Sequence, residues 1–266
     1  MPNIRIETDV VATTVGDRDL KVDIFYPGEN ANGLGIVFLP GGGFRIANKA
    51  GLHERYATRM AEKGYVFIAT EYRVMDDAPW PAQIQDAKAF IRWARANAKD
   101  LGIDPDRIIL GGASAGGQLS LLAAGTPGKA EFEGDGGNAG VSSAVAAVIG
   151  VYPVTDVTNR GQDESRKKLY GRNPSAEMLK AASPVFQVTS DFPPTMLVHG
   201  TADTQVDYSN SMRIFQALEE AGVPVDLYLY AGQDHIFDRE PMFADAVCDA
   251  MALFIERYVP VPATAG

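Results

Sequence analysis

Three features of the chain predict an α/β fold with a mostly parallel central sheet covered by helices on both faces. Short apolar runs alternate with amphipathic segments, a rhythm that right-handed crossovers convert into a parallel sheet. Several of those runs are apolar throughout, as strands buried on both faces are. With 266 residues and 46% hydrophobic content, the chain can bury one large core. No internal repeat or low-complexity tract divides it, so residues 1–266 read as one domain.

The elements follow in order. Ile4–Thr14 and Asp19–Tyr26 alternate polar and apolar residues around Gly16-Asp17, which predicts an antiparallel hairpin at a sheet edge. Leu34–Leu39 is a continuous apolar strand ending in Pro40-Gly41-Gly42-Gly43-Phe44. Leu52–Glu62 has helical periodicity with a stop at Gly64, and Tyr65–Tyr72 is the next buried strand. In Pro81–Ala98 the spacing of Ile84, Ala87, Phe90, Ile91 and Ala94 gives a helix one apolar face. Arg107–Leu110 is a strand and Gln118–Ala124 a helix; the Gly-rich loop at 134–140 leads into the strand Ala144–Tyr152. The strand Thr195–His199, the helix Ser209–Ala221, the strand Val225–Tyr230 and the helix Pro241–Tyr258 complete the series, before a Pro- and Ala-rich tail over 259–266 that is expected to fray.

Gly112-Ala113-Ser114-Ala115-Gly116 lies between the strand at 107–110 and the helix at 118–124. A G-x-S-x-G pentapeptide in that context predicts a strained strand-to-helix elbow, with Ser114 presented as a nucleophile and small neighbours tolerating the bend. A serine hydroxyl near neutral pH needs a base within hydrogen-bond reach. Of the three histidines, His53 opens a helix and His199 ends an apolar strand, where a structural hydrogen-bonding role suits it. His235 sits in the loop between the last strand and the last helix and is the best base. The third member must be a carboxylate that orients the imidazole and stabilises its charged form. Asp203, just past the preceding strand, fits; Asp156 is the alternative, and Asp207 and Asp234 read as solvated loop carboxylates. The order Ser114, Asp203, His235 is that of α/β-hydrolases. The amides of Gly42, Gly43 and Ala115 are the candidate oxyanion hole, since residues without a bulky side chain let N–H groups approach closely.

Composition removes other chemistries. The formal net charge of −10 opposes nucleic-acid binding, which needs clustered Lys and Arg, and points to a neutral or cationic substrate rather than a polyanion. The single cysteine, Cys248, falls in the apolar stripe of the last helix and reads as a small core residue; no Cys-based metal site or internal disulfide can form. The glycines at 111–116 do not make a dinucleotide fingerprint, and neither a phosphate loop nor a His-Glu-x-x-His motif occurs, so the expectation is catalysis without cofactor or metal. The start of the chain lacks an apolar leader core and no stretch approaches a membrane span, which gives a cytoplasmic expectation. Nothing in the sequence sets the oligomeric state.

With Gly41-Gly42-Gly43-Phe44, Glu71-Tyr72-Arg73, Pro81, Asp86, the serine elbow continuing to Gly117, Ala182-Ser183-Pro184, Gly200-Thr201-Ala202-Asp203 and Asp234-His235, nearly the whole chain resembles an α/β-hydrolase esterase. The group includes hormone-sensitive-lipase-like carboxylesterases and bacterial feruloyl and acetyl-xylan esterases. The resemblance implies the same triad, Ser114, Asp203 and His235, and the same oxyanion donors. It therefore implies hydrolysis of small or short-acyl esters, with an amidase or peptidase of the same fold, arylformamidase-like or prolyl-peptidase-like, as the alternative. A non-catalytic ligand-binding relative ranks below both, because such sequences typically lack a triad member. Two departures stand out. Pro40 replaces the histidine of the usual His-Gly-Gly-Gly, so the oxyanion loop must be braced from elsewhere. No helical N-terminal cap precedes the first strand, which predicts an open site with residues 157–184, including Arg160, Lys167, Lys168, Tyr170 and Met178, as a small lid-like insertion or a surface excursion. Phe44 and Trp80 are candidate substrate-binding walls, each equally suited to the core.

Overall fold

A computed structural model describes residues 3–159, 161 and 163–260. Eight strands, β1 (Arg5–Val15), β2 (Arg18–Tyr26), β3 (Gly35–Leu39), β4 (Val66–Thr70), β5 (Ile108–Ala113), β6 (Ala147–Val151), β7 (Thr195–Gly200) and β8 (Val225–Tyr230), form one sheet in the order β1-β2-β4-β3-β5-β6-β7-β8. The hairpin β1–β2 is antiparallel and joins β4 antiparallel; β4 through β8 run parallel. The helices are α1 (Thr58–Glu62), α2 (Ala82–Ala96), α3 (Ala98–Leu101), α4 (Ala115–Ala124), α5 (Ala130–Glu133), α6 (Glu164–Tyr170), α7 (Ala176–Ala181), α8 (Ser209–Glu220) and α9 (Pro241–Tyr258).

The two sheet faces have separate cores, and the strict alternation of the pleat sorts residues between them. Val37 and Leu39 of β3 pack with Ile84, Phe90 and Ile91 of α2, Leu119 and Leu122 of α4, and Ile214 and Leu218 of α8. Ile36 and Phe38 point the other way, to Met60 of α1 and to Val247, Met251 and Phe254 of α9. Cys248 lies in that second core, fully buried, and burial pushes its thiol up to about 12. At such a value it stays a neutral thiol.

Two local expectations need correction. The helix expected over 52–62 is a 3-10 turn, Lys49–Leu52, and a π turn, His53–Ala57, leading into the five-residue α1. Apolar spacing could not show this change of pitch, because Leu52, Tyr56, Ala57, Met60 and Ala61 stay buried throughout. The strand expected over 144–152 is confined to Ala147–Val151: the Ala144 carbonyl accepts from the Arg95 guanidinium at 2.7 Å, and Tyr152 turns the chain at φ 37°. The helices α6 and α7 lie in the segment expected as an insertion, and the Asp163 and Ser175 side chains cap their first turns. Arg160 and most of the tail expected to fray, 261–266, lie outside the described residues.

Candidate active site

The parallel strands deliver their C-terminal ends to one edge, and three of them carry the site. Ser114 follows β5 directly with φ 54° and ψ −116°, a conformation that only strong surroundings impose on a residue with a side chain. Its surroundings are glycines. A Cβ on Gly112 would lie 2.3 Å from the Gly116 carbonyl oxygen, and one on Gly116 would lie 2.2 Å from that of Leu39. The elbow can close only with hydrogen at both positions.

His235 follows β8 and Asp203 follows β7. The His235 ring contacts both partners: Nε2 is 3.0 Å from Ser114 Oγ and Nδ1 is 2.6 Å from Asp203 Oδ2. Both side chains of the His235–Asp203 pair are almost wholly removed from solvent. Burial alone would raise the Asp203 carboxyl. Hydrogen bonds from His199, His235 and the amides of Val206 and Gln205 outweigh it and hold the group well below the usual carboxylate range. Those amides donate to Oδ1 at 2.8 and 2.9 Å, which fixes the carboxylate's orientation.

The loop after β3 closes over the elbow. A Cβ on Gly41 would lie 3.2 Å from Ser114 Cβ, so the chain passes Ser114 at contact distance. Gly42, Gly43 and Phe44 all have positive φ, and the Gly42 carbonyl accepts from the Arg45 and Ile46 amides at 3.0 and 3.3 Å. Among the described residues the amides of Gly42, Gly43 and Ala115 have no backbone acceptor, so all three are available as donors. In place of the absent histidine, the buried Tyr72 hydroxyl donates to the Pro40 carbonyl at 3.0 Å.

A cavity of about 1100 Å³ opens over Ser114. Phe44 lines it; Trp80 does not. Trp80 instead packs on Phe132 and Tyr170 in the core behind the wall, with ring centroids 5.9 and 5.5 Å away, so it is not the cavity wall it was expected to be; Tyr170 is. Val157, Asp163, Ser165, Arg166 and Leu169 join Tyr170 as lining from the expected insertion. Lys167 and Lys168 form surface pairs with Glu164 and Asp76, and Met178 packs against the core.

The other carboxylates and histidines are engaged elsewhere. Asp156 lines the cavity, accepts from Arg213 at 2.8 Å and caps Thr158 and Asn159. Asp207 caps Ser209, and Asp234 accepts from the Thr204 and His235 amides. His53 meets Asp23 at 2.7 Å. His199 is buried between Ser211 Oγ and the Val206 carbonyl, and its Nε2 also lies 3.2 Å from Asp203. That last contact was missed from sequence, although the i,i+4 spacing of His199 and Asp203 across the turn after β7 was a usable signal. Also missed was a buried group under His235. The Tyr152 ring, at φ 37°, lies 4.6 Å from the imidazole, and its hydroxyl donates to Asp238 Oδ1 at 2.8 Å. Tyr56 donates to the other oxygen, and Arg55 lies 3.8 Å away. Burial pushes the Asp238 carboxyl up to about 6 against the pull of Arg55.

Comparison with known proteins gives this geometry its context. The BD-FAE family model matches residues 22–218, a span that holds Ser114 and Asp203 and ends before His235. Esterase LipQ of Mycobacterium tuberculosis is 32% identical over 263 residues, covering 91% of this chain and 61% of LipQ. The chain spans 58% and 52% of the next two curated relatives, LipC and LipM of the same organism. Among solved structures, a truncated carbohydrate esterase from gut microbiota superposes with TM-score 0.85 at 26% identity, covering 96% of both chains. Esterase 2 of Thermogutta terrifontis gives 0.83 at 28% identity, covering 98% of this chain and 95% of its own. That esterase is also known with butyrate bound and phosphonylated by sarin. The fold is that of the α/β-hydrolases, and among the described residues no helix is long and apolar enough to cross a membrane.

Proposed function

The chain belongs to the BD-FAE family, and from that premise we propose that it is a serine carboxylic ester hydrolase acting on short-acyl esters. One observation carries the reading: an unbroken contact chain, Ser114 Oγ to His235 to Asp203, at 3.0 and 2.6 Å. His235 Nε2 takes the hydroxyl proton as Oγ attacks the ester carbonyl, and Asp203 accepts the Nδ1–H bond that stabilises the imidazolium. The amides of Gly42, Gly43 and Ala115 hold the developing oxyanion. Collapse breaks the bond to the alcohol oxygen, which leaves with the proton from His235. Water, deprotonated by the same ring, then frees the acid and restores Ser114. No step needs a cofactor. Propionate and butyrate in structures of the Thermogutta esterase support a short acyl group. Phosphonylation of that esterase by sarin supports a serine nucleophile.

The test is hydrolysis of 4-nitrophenyl acetate, butyrate and octanoate by the wild type and Ser114→Ala. We expect the shorter chains to be preferred and kcat to fall by about 10⁴-fold or more in the variant. A variant as active as the wild type would remove Ser114 from the reaction.

A further inference from the structure

We propose that the cavity wall beside His235 is a subsite for a carboxylate on the alcohol half of the ester, bound by Arg55 and Arg239. The inference rests on the ester-hydrolase reading and adds the substrate class to it. In that reading His235 protonates the departing alcohol oxygen, so the alcohol lies on the His235 side of the cavity. Arg239 is four residues beyond His235, at the end of the turn Phe237–Arg239. Arg55 donates to the Tyr152 hydroxyl at 3.3 Å, and the Tyr152 ring lies against the imidazole. Both residues line the cavity that also holds Ser114 and His235.

The charge on this wall is unbalanced. The stretches 40–55 and 235–239 contribute Arg45, Arg55 and Arg239 to the lining and no Asp or Glu. Arg239 is exposed, and the carboxyl its charge acts on is that of the buried Asp238. The carboxylate nearest Arg55, Asp238, is 3.8 Å away, fully buried and already bonded by two tyrosine hydroxyls. The facing wall differs: Asp156 is matched by Arg213, while Asp163 and Asp207 accept amide hydrogens at the starts of α6 and α8. A chain with ten excess negative charges has thus placed two guanidinium groups on the His235 side of the cavity, where the one carboxylate near them, Asp238, is buried out of a substrate's way. Guanidinium groups in a partly enclosed cleft favour a planar carboxylate through paired, charge-assisted hydrogen bonds. The overall acidity that pointed to a neutral or cationic substrate does not govern this local field, because charges beyond about 10 Å are screened at ordinary salt.

The test uses two acetate esters of equal shape, 3-acetoxybenzoate and 3-acetoxybenzamide, and reads the ratio of their kcat/KM values. The ratio divides out any general loss of activity. We expect the wild type to favour the carboxylate by about tenfold or more at low salt, with the preference shrinking at 0.5 M NaCl. Arg239→Gln, which changes only an exposed side chain, should lower the ratio about threefold, and Arg55→Gln/Arg239→Gln should bring it near one. Arg239→Lys should retain part of the preference. A wild-type ratio at or below one, or a ratio unchanged in the double variant, overturns the subsite while leaving the esterase intact. Hydrolysis of neither ester, with Ser114→Ala indistinguishable from wild type on 4-nitrophenyl acetate, would remove the parent reading and this one together.

Discussion

The two walls of the cavity are built by different means. The wall that holds Ser114, Asp203, His235 and the loop at 40–44 hangs directly from strand ends, and backbone shapes it: glycines packed tightly against main chain and positive φ at Gly42, Gly43, Phe44 and Ser114. The wall drawn from residues 156–170 is tied by side chains. Asp156 binds Thr158, Asn159 and Arg213, Arg166 donates to the Val157 carbonyl, and Gln118 donates to the Tyr170 hydroxyl and the Ala182 carbonyl. Arg45 Nε, donating to Ser165 Oγ at 2.9 Å, joins the two. Chemistry placed on backbone geometry is intolerant of change, because a Cβ at Gly42, Gly112 or Gly116 would collide with main chain. Walls held by side-chain bonds can exchange residues at a cost of one contact each. On the proposed reading the first wall carries the reaction, and the second contributes to substrate shape.

The largest effect should come from the backbone wall. A Cβ on Gly42 would lie 2.2 Å from the Ile46 carbonyl oxygen, at a φ of 137° that side-chain-bearing residues rarely adopt. Gly42→Val is therefore expected to displace the amides and lower kcat by about 10²–10³. A melting curve alongside the kinetics checks that the fold survives; a kcat within twofold of wild type would break the comparison.

Next comes the buried support of the same wall. The folded Asp238 carboxyl keeps its proton up to about pH 6, whereas the ordinary value is 3.8. Between those values the native state binds more protons than the unfolded chain, so this group's contribution is complete below pH 4 and is lost as pH rises through 6, by up to about 3 kcal/mol. Asp238→Asn cannot ionise. Its melting temperature relative to wild type should therefore improve between pH 4 and pH 7, and a gap independent of pH would show that the carboxyl does not titrate there.

The smallest effect belongs to the side-chain wall. Arg213→Ala removes the ion pair on Asp156, but the Arg213 side chain is 41% exposed, so solvent screens the interaction. We expect a stability loss under about 1 kcal/mol and a change of a few-fold in KM with kcat retained. A fall in kcat rivaling that of Gly42→Val would erase the distinction between the walls.

The alternation of strands and helices, the elbow at Ser114 and the strand-end positions of Asp203 and His235 were legible along the chain, because each depends on neighbours within a few residues. Hydrophobic period, a glycine beside a serine and a polar residue just after an apolar run are local signals, and strand ends in a parallel sheet converge by the handedness of the connections. Tertiary structure alone decided that Tyr72 braces Pro40, that Trp80 stands behind the wall rather than in it, that Asp238 joins Tyr56 and Tyr152, and that Arg55 and Arg239 face one cavity. These pairings span tens to more than a hundred residues. Their partners are chosen by packing and by the need of buried polar groups for a hydrogen bond, neither of which leaves a periodic trace along the chain.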